Sequence, residues 1–287
     1  MFWFRTITWI AIYIGRPVAW ALLYPITLFF FLTRSSTRRA SRDFLTLALE
    51  RAATFRDTFE NHRVFACTIL DRVYLLSGRY ECLDITQHGA QSILDRVGAG
   101  SGCMLLGSHL GSFEVLRSLG ARSDAFELRV LMREEHNPTI TEFLHSIDSS
   151  IANVVIPLGH PDSMLRVKEA VEQRCLIGLL GDRAMTNEKT HICEFFGRPA
   201  AFPTGPLMLA IMLQIPVYLF FGLYEGGNRY GIYFELLSDV VETDQGNREA
   251  LAAKLTEKYA VRLMHYARRA PYNWFNFYEF WETGPRT

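Results

Sequence analysis

From Gly78 onward the chain alternates short apolar runs with segments of helical period, and no other feature restricts its fold as much. Cys82 to Thr86, Cys103 to Gly107, Leu128 to Met132, Val154 to Pro157, Leu176 to Leu180, Pro216 to Leu223 and Tyr230 to Leu236 read as strands. Between them Ala90 to Val97, Phe113 to Leu119, Pro138 to Ile147, Asp162 to Gln173 and Pro206 to Leu213 read as helices. A stripe of Leu251, Leu255, Tyr259, Leu263 and Tyr266 marks one more, over Asn247 to Arg269, packed on the sheet. The alternation predicts an α/β body over residues 79–287, with a mostly parallel central sheet flanked by helices. Sites in such sheets lie beyond the carboxyl ends of the strands. His109, Arg133, Asp182 and Arg183 each follow a predicted strand, so one crevice is expected to collect them.

The first 78 residues are of another kind. From Thr6 to Thr33 the only charge is Arg16, and the 17 residues Pro17 to Thr33 carry none. As a helix that run would reach about 25 Å, just short of a hydrocarbon core of roughly 30 Å. A single span from Thr6 would bury Arg16 near its middle, at about 2.5–3.5 kcal/mol. Pro17 and Pro25 also argue against a straight rod. Residues 1–33 are therefore expected to form a bent anchor that dips into one leaflet, with a full span second and a buried core helix third. A cleaved leader is disfavoured, because no small-residue cleavage site stands out. Arg34, Arg38, Arg39 and Arg42 follow, which marks the cytoplasmic side of a membrane and an attraction to anionic headgroups. Over residues 34–78, Phe44, Leu45, Leu47 and Ala48, then Phe65, Ile69, Val73 and Leu76, recur at helical spacing and predict two amphipathic helices closed by Gly78.

Lys plus Arg and Asp plus Glu number 30 each, so no net charge argues for a nucleic-acid partner. With 21 Phe, 12 Tyr and 5 Trp and a positive mean hydropathy, the composition favours a lipid partner. Five widely spaced cysteines without a Cys-x-x-Cys pair read as reduced thiols, with neither a disulfide framework nor a zinc site.

The chemistry is expected in Leu105-Leu106-Gly107-Ser108-His109-Leu110-Gly111-Ser112-Phe113-Glu114, where a strand runs into a helix. Gly107 and Gly111 let the backbone turn sharply beside the histidine. Ser112 is placed to cap the helix, which would hold Glu114 in a first turn that favours an ionised carboxylate. A carboxylate folded back on His109 would fix one ring nitrogen and free the other as a base. Of eight histidines only His109 has an acid five residues on; with acids 30 of 287 residues, that alone is what chance gives. A surface histidine beside a capping acid remains the plain alternative.

Other motifs are weaker or fail. Gly98-Ala99-Gly100-Ser101-Gly102 precedes a strand and lacks the dinucleotide-binding spacing, so it reads as a loop. No Gly-x-Ser-x-Gly elbow is present, which disfavours an acyl-serine hydrolase. Arg133 with Asn137-Pro138, and Asp182-Arg183, are suited either to bind a phosphate or carboxylate or to pair with neighbouring charges. The run from Phe195 to Pro206, with three prolines and two glycines, predicts a stiff apolar loop: the wall of an acyl groove or a connector.

Gly-Ser-His-x-Gly-x-x-Glu, Arg133 with Asn137-Pro138, Gly181-Asp182-Arg183 and Phe-Phe-Gly-x-Pro-Ala-x-x-Pro-x-Gly-Pro together resemble the lysophospholipid acyltransferase superfamily, in the branch of the late acyltransferases of lipid A biosynthesis. The C-terminal Pro271-Tyr272-Asn273-Trp274-Phe275-Asn276-Phe277-Tyr278 is similar to the Trp- and Phe-rich ending of that branch. The chain also looks like a bacterial subgroup associated with aryl-polyene and fatty-acid-like pathways. The resemblance implies a glycerol-3-phosphate-acyltransferase-like fold at the cytoplasmic face of a bacterial inner membrane. It implies acyl transfer from an acyl carrier protein, or less often coenzyme A, to a hydroxyl or amine of a membrane lipid, with no metal and no further cofactor. In the superfamily's HX4E motif His109 would be the general base and Glu114 its partner. Arg133, Asn137, Asp182, Arg183, Gly197, Pro199, Pro203 and Gly205 would bind or shape substrate. The oxyanion donor is not assigned by the resemblance; the backbone N–H groups around Gly111 and Ser112 are candidates. Two other readings stay open: an idle protein that binds the carrier or lipid, and a thioesterase in which His109 activates water.

Overall fold

Seven strands form the main sheet of the computed structural model, which describes residues 15–116, 127–133, 154–184, 188–240 and 244–281. They are β1 (Asp84–His88), β2 (Met104–Gly107), β3 (Leu128–Arg133), β4 (Val155–Leu158), β5 (Leu176–Leu180), β8 (Val217–Gly226) and β9 (Arg229–Ser238). Their order is β1-β9-β8-β2-β5-β3-β4, and every pairing is parallel except the β8/β9 hairpin. β2 and most of β5 are buried on both faces, which is why both are continuous apolar runs. Met104 and Leu106 pack on one side with Leu255, Tyr259 and Leu263, while Leu105 packs on the other with Leu70 and Tyr74.

Helices cover those faces: α1 (Arg16–Thr33), α2 (Ser35–Ala48), α3 (Phe55–Leu76), α4 (Ala90–Gly98), α5 (Ser163–Glu172), α6 (Gly205–Leu213) and α7 (Arg248–Arg269). The expected helix at Phe113 to Leu119 is seen only at its start, at 115–116, and the one at Pro138 to Ile147 lies outside the described residues. Thr54 and Asp57 cap α3 reciprocally: Asp57 N donates to Thr54 Oγ1 and Thr54 N to the Asp57 carboxylate. Arg51 first, then Thr54 and Tyr272, hold that carboxyl below its ordinary range despite its burial.

One expectation needs correcting. The stretch from Phe195 to Pro206 is for the most part a hairpin of β6 (Thr190–Phe195) and β7 (Arg198–Pro203) instead of a loop. Phe196 and Gly197 make its two-residue turn, both with positive φ (54° and 74°). Pro199 and Pro203 suggested irregular backbone, but a two-stranded ribbon has open edges on which a strand tolerates proline.

α1 is one continuous helix with Pro17 in its first turn and Pro25 on its exposed side. Ala19, Leu23, Thr27 and Phe31, four residues apart, are buried in a stripe that faces α3. Arg16 does not sit in an apolar span as a free charge. Its Nε and Nη2 donate to Asp71 at 2.7 and 2.9 Å, Nη2 also donates to Gly227 O at 2.5 Å, and Tyr230 Oη donates to Asp71 at 2.9 Å. At the other end, Arg38 of α2 donates to the carbonyls of Phe31 and Leu32, which α1 leaves unpaired. Residues 1–14 of the expected anchor lie outside the described part.

The loop after β2 is pressed against β8. Gly111, at φ +80°, bridges Gly222, and Ser112 N donates to Gly222 O at 2.7 Å. A Cβ on Gly111 would stand 2.0 Å from that carbonyl oxygen, whereas one on Gly197 would meet nothing within 4 Å. Gly111→Ala should therefore destabilise on the order of 3 kcal/mol and Gly197→Ala only about 1 kcal/mol, read from urea midpoints in detergent.

Candidate active site

β2 and β5 are neighbours with Gly107 opposite Leu180, and the ladder continues through Gly181 N to Gly107 O at 3.0 Å. His109 and Asp182 stand two residues beyond those partners, so the register itself sets them side by side. His109 Nδ1 lies 2.8 Å from Asp182 Oδ1. Asp182 Oδ2 accepts from the backbone N of His109 at 3.1 Å and from Trp274 Nε1 at 3.3 Å.

Asp182 is fully buried. Burial opposes its ionisation, but the charge and hydrogen bonds of His109 and the charge of Arg183 outweigh that, and its carboxyl is held below the ordinary range. An ionised acceptor at Nδ1 keeps the neutral ring's proton there and leaves Nε2 a lone pair. Nε2 has no hydrogen-bond partner among the described residues, and 31% of the His109 side chain stays open.

Glu114 does not hold the ring. Its carboxylate lies 2.5 Å from Arg72 of α3. Five residues past His109 the chain has turned through Gly111 into the next helix, whereas Asp182 arrives from the adjacent strand at the height of the ring. The backbone N–H groups expected to receive an oxyanion are also taken: Gly111 N donates to Asn273 O at 2.8 Å and Ser112 N to Gly222 O. Ser108 is buried and accepts from Leu110 N, so it is not an exposed nucleophile.

The C-terminal segment is part of this centre. Trp274 pairs with Leu110 as an isolated bridge, and Phe275 N donates to His109 O at 2.9 Å. Asn61 of α3, itself buried, donates to the carbonyls of Tyr272 and Trp274, and Asn273 exchanges two hydrogen bonds with Tyr224 of β8. The Trp274 indole packs edge-on against Phe44, Phe195 and Phe280. The role of the Phe195-Phe196 hairpin is therefore to back the indole that touches Asp182. In the same core cluster Tyr259 of α7 donates to Gly107 O at 2.8 Å.

Arg183 turns to the same segment: Nη2 donates to Phe275 O at 2.8 Å, and its guanidinium lies over the Tyr278 ring. Arg133 closes β3, but its side chain and Asn137 lie outside the described part. Gly197, Pro199, Pro203 and Gly205 sit on the hairpin or at the start of α6, and none of them hydrogen-bonds His109 or Asp182 among the described residues. Pro199 lines a groove of about 450 Å³ with Arg39, Asp43, Arg198, Tyr278 and Trp281. Among the described residues no group of three or more His, Cys, Asp or Glu stands where it could hold a metal ion. Burial pushes the thiols of Cys103 up to about 12 and of Cys67 and Cys193 to about 11, so none is a ready nucleophile.

Compared with known families, the sequence matches the bacterial lipid A biosynthesis acyltransferase over residues 57–283. The chain belongs to that family. This acyltransferase, whose family takes lipid-like acceptors, has within the matched region His109, Asp182 and Trp274; α1 and α2 precede it. Comparison with curated proteins gives no match.

Asp182→Asn should lower turnover on the order of 10³-fold by releasing the ring's tautomer and orientation. Because the folded-state pKa of Asp182 lies below its unfolded value, its stabilisation is full above about pH 4 and lost as pH falls through the depressed value. The stability gap between wild type and Asp182→Asn should narrow as pH is lowered from about 5 to 3, measured by urea unfolding.

Proposed function

We propose that this protein moves a fatty acyl group from a pantetheine thioester, carried by an acyl carrier protein or coenzyme A, to a hydroxyl or amine of a membrane lipid. The contact between His109 Nδ1 and buried Asp182 carries the reading, since it leaves Nε2 free as a base. Nε2 takes the proton of the acceptor O–H or N–H as its heteroatom attacks the thioester carbonyl. The resulting tetrahedral oxyanion collapses, the C–S bond breaks, and the imidazolium returns its proton to the leaving thiolate. Acyl and proton are thus both accounted for without a covalent enzyme intermediate. Glu114, through Arg72, fastens the site loop to α3 and acts at one remove from the chemistry.

The acceptor is met at a lipid surface, in this reading the cytoplasmic face of a bacterial inner membrane. α1 meets the length and apolarity of a spanning helix, yet one stripe of it is packed on the protein. Its outer face presents Phe29, Phe30 and Leu32, more than half exposed, with Val18 and Leu22. Arg34, Arg39 and Arg42, which pair with no carboxylate among the described residues, follow at once. Apolar side chains in one leaflet with arginines at the headgroups favour insertion over a full crossing.

Incubation with acyl carrier protein thioester and an acceptor lipid should give acylated lipid, and His109→Ala should lower the rate at least 10²-fold. Unchanged turnover in that variant would remove His109 as base, and free fatty acid as the sole product would make the protein a thioesterase. Replacing Phe29, Phe30 and Leu32 together by Ser should cut co-sedimentation with vesicles containing phosphatidylglycerol at least tenfold; retention at the wild-type level contradicts the docking face.

A further inference from the structure

Every backbone N–H from His109 to Ser112 is already bonded: to Asp182, Ser108, Asn273 and Gly222 in turn. These four groups therefore offer no donor to a developing oxyanion. Beside it lie polar groups in the opposite condition. Asn276 is 3% exposed, and neither its Nδ2 nor its Oδ1 has a hydrogen-bond partner among the described residues. Arg183 Nε is likewise buried and unpaired. A buried, unanswered carboxamide is unfavourable and rare enough to need a reason.

Its direction is fixed by its neighbours. Phe275 and Phe277 stack on each other and both meet Phe65 of α3, so they share one face of the segment. With Phe275 and Phe277 turned to Phe65, Asn276 between them is directed away from that face, and two residues back the Trp274 indole bonds Asp182. Phe275, between them, receives Arg183 on its carbonyl and donates to His109. The unpaired set is two donors, Asn276 Nδ2 and Arg183 Nε, and one acceptor, Asn276 Oδ1.

We propose that Asn276 and Arg183 Nε form the subsite for the thioester end of an acyl-pantetheine. The thioester carbonyl oxygen takes the two donors, and the amide N–H of the adjoining cysteamine gives to Asn276 Oδ1. Acyl carrier protein and coenzyme A carry that segment alike. The two donors bind more strongly as negative charge grows on the oxygen, which makes Asn276 a catalytic residue of the acyl transfer proposed above, on which this inference rests.

The decisive variant is Asn276→Leu, of similar size and without polar atoms. Turnover should fall about 10²–10³-fold with acyl carrier protein and coenzyme A donors alike, mostly in kcat, while Tm holds or rises. A fall in both Tm and turnover, or turnover within twofold of wild type, overturns the subsite. A loss with only one donor places the contact on that carrier instead. A second measurement needs no turnover: binding of a fatty acyl-pantetheine ketone, with CH2 in place of the thioester sulfur, against the thioether that lacks the carbonyl oxygen. Wild type and His109→Ala should prefer the ketone at least tenfold, and Asn276→Ser should lose that preference. An Asn276→Ser protein that keeps it refutes the subsite even if the acyl transfer stands. If instead no lipid is acylated while the preference remains and depends on Asn276, the subsite stands and the proposed reaction fails.

Discussion

The parallel pairing of β2 with β5 is the constraint from which the rest of the centre follows. Gly107 opposite Leu180 leaves His109 and Asp182 at equal height where both strands end. A slip of one residue would turn one of the two to the opposite face. Register is held because β2 and β5 are central strands buried on both faces, so any slip would expose leucines above and below the sheet.

Around this pair, the protein spends its polar residues on holding backbone rather than on meeting substrate. Gly111 is pressed to Gly222, Asn273 to Tyr224, and Asn61 reaches two carbonyls of the final segment. A buried amide matched on all sides fixes geometry strongly because its alternatives leave a group unsatisfied. The contrast between Asn61 and Asn273, which are fully engaged, and Asn276, which is not, is what gives the last its meaning.

The sheet, its parallel sense and most of its strands were legible in the sequence because buried parallel strands are apolar runs that local reading detects. So was the gathering of His109 and Asp182 in one crevice. The wrong partner for His109 came from reading along the chain, where Glu114 is close in number but passes to a helix and to Arg72. Nothing local reveals that residue 182 lies nearer to the ring than residue 114, because that fact belongs to the pairing of two strands about 70 residues apart. The hairpin was hidden by its prolines, and the purpose of Trp274 and Asn276 by their distance from the motif they complete. Arg16 was legible as an anomaly in an apolar run, but its partner Asp71 was not.

That partnership fixes α1 to the rest of the body. Through Arg16, α1 is bolted to α3 and to the β8–β9 turn, and Arg38 closes its far end. A greasy rod fixed at both ends cannot swivel on its own, so the molecule tilts as one piece on any surface that receives it. In the membrane reading proposed above, the height of the imidazole over the bilayer is then a built-in length, which would sort acceptors by whether their nucleophile reaches it.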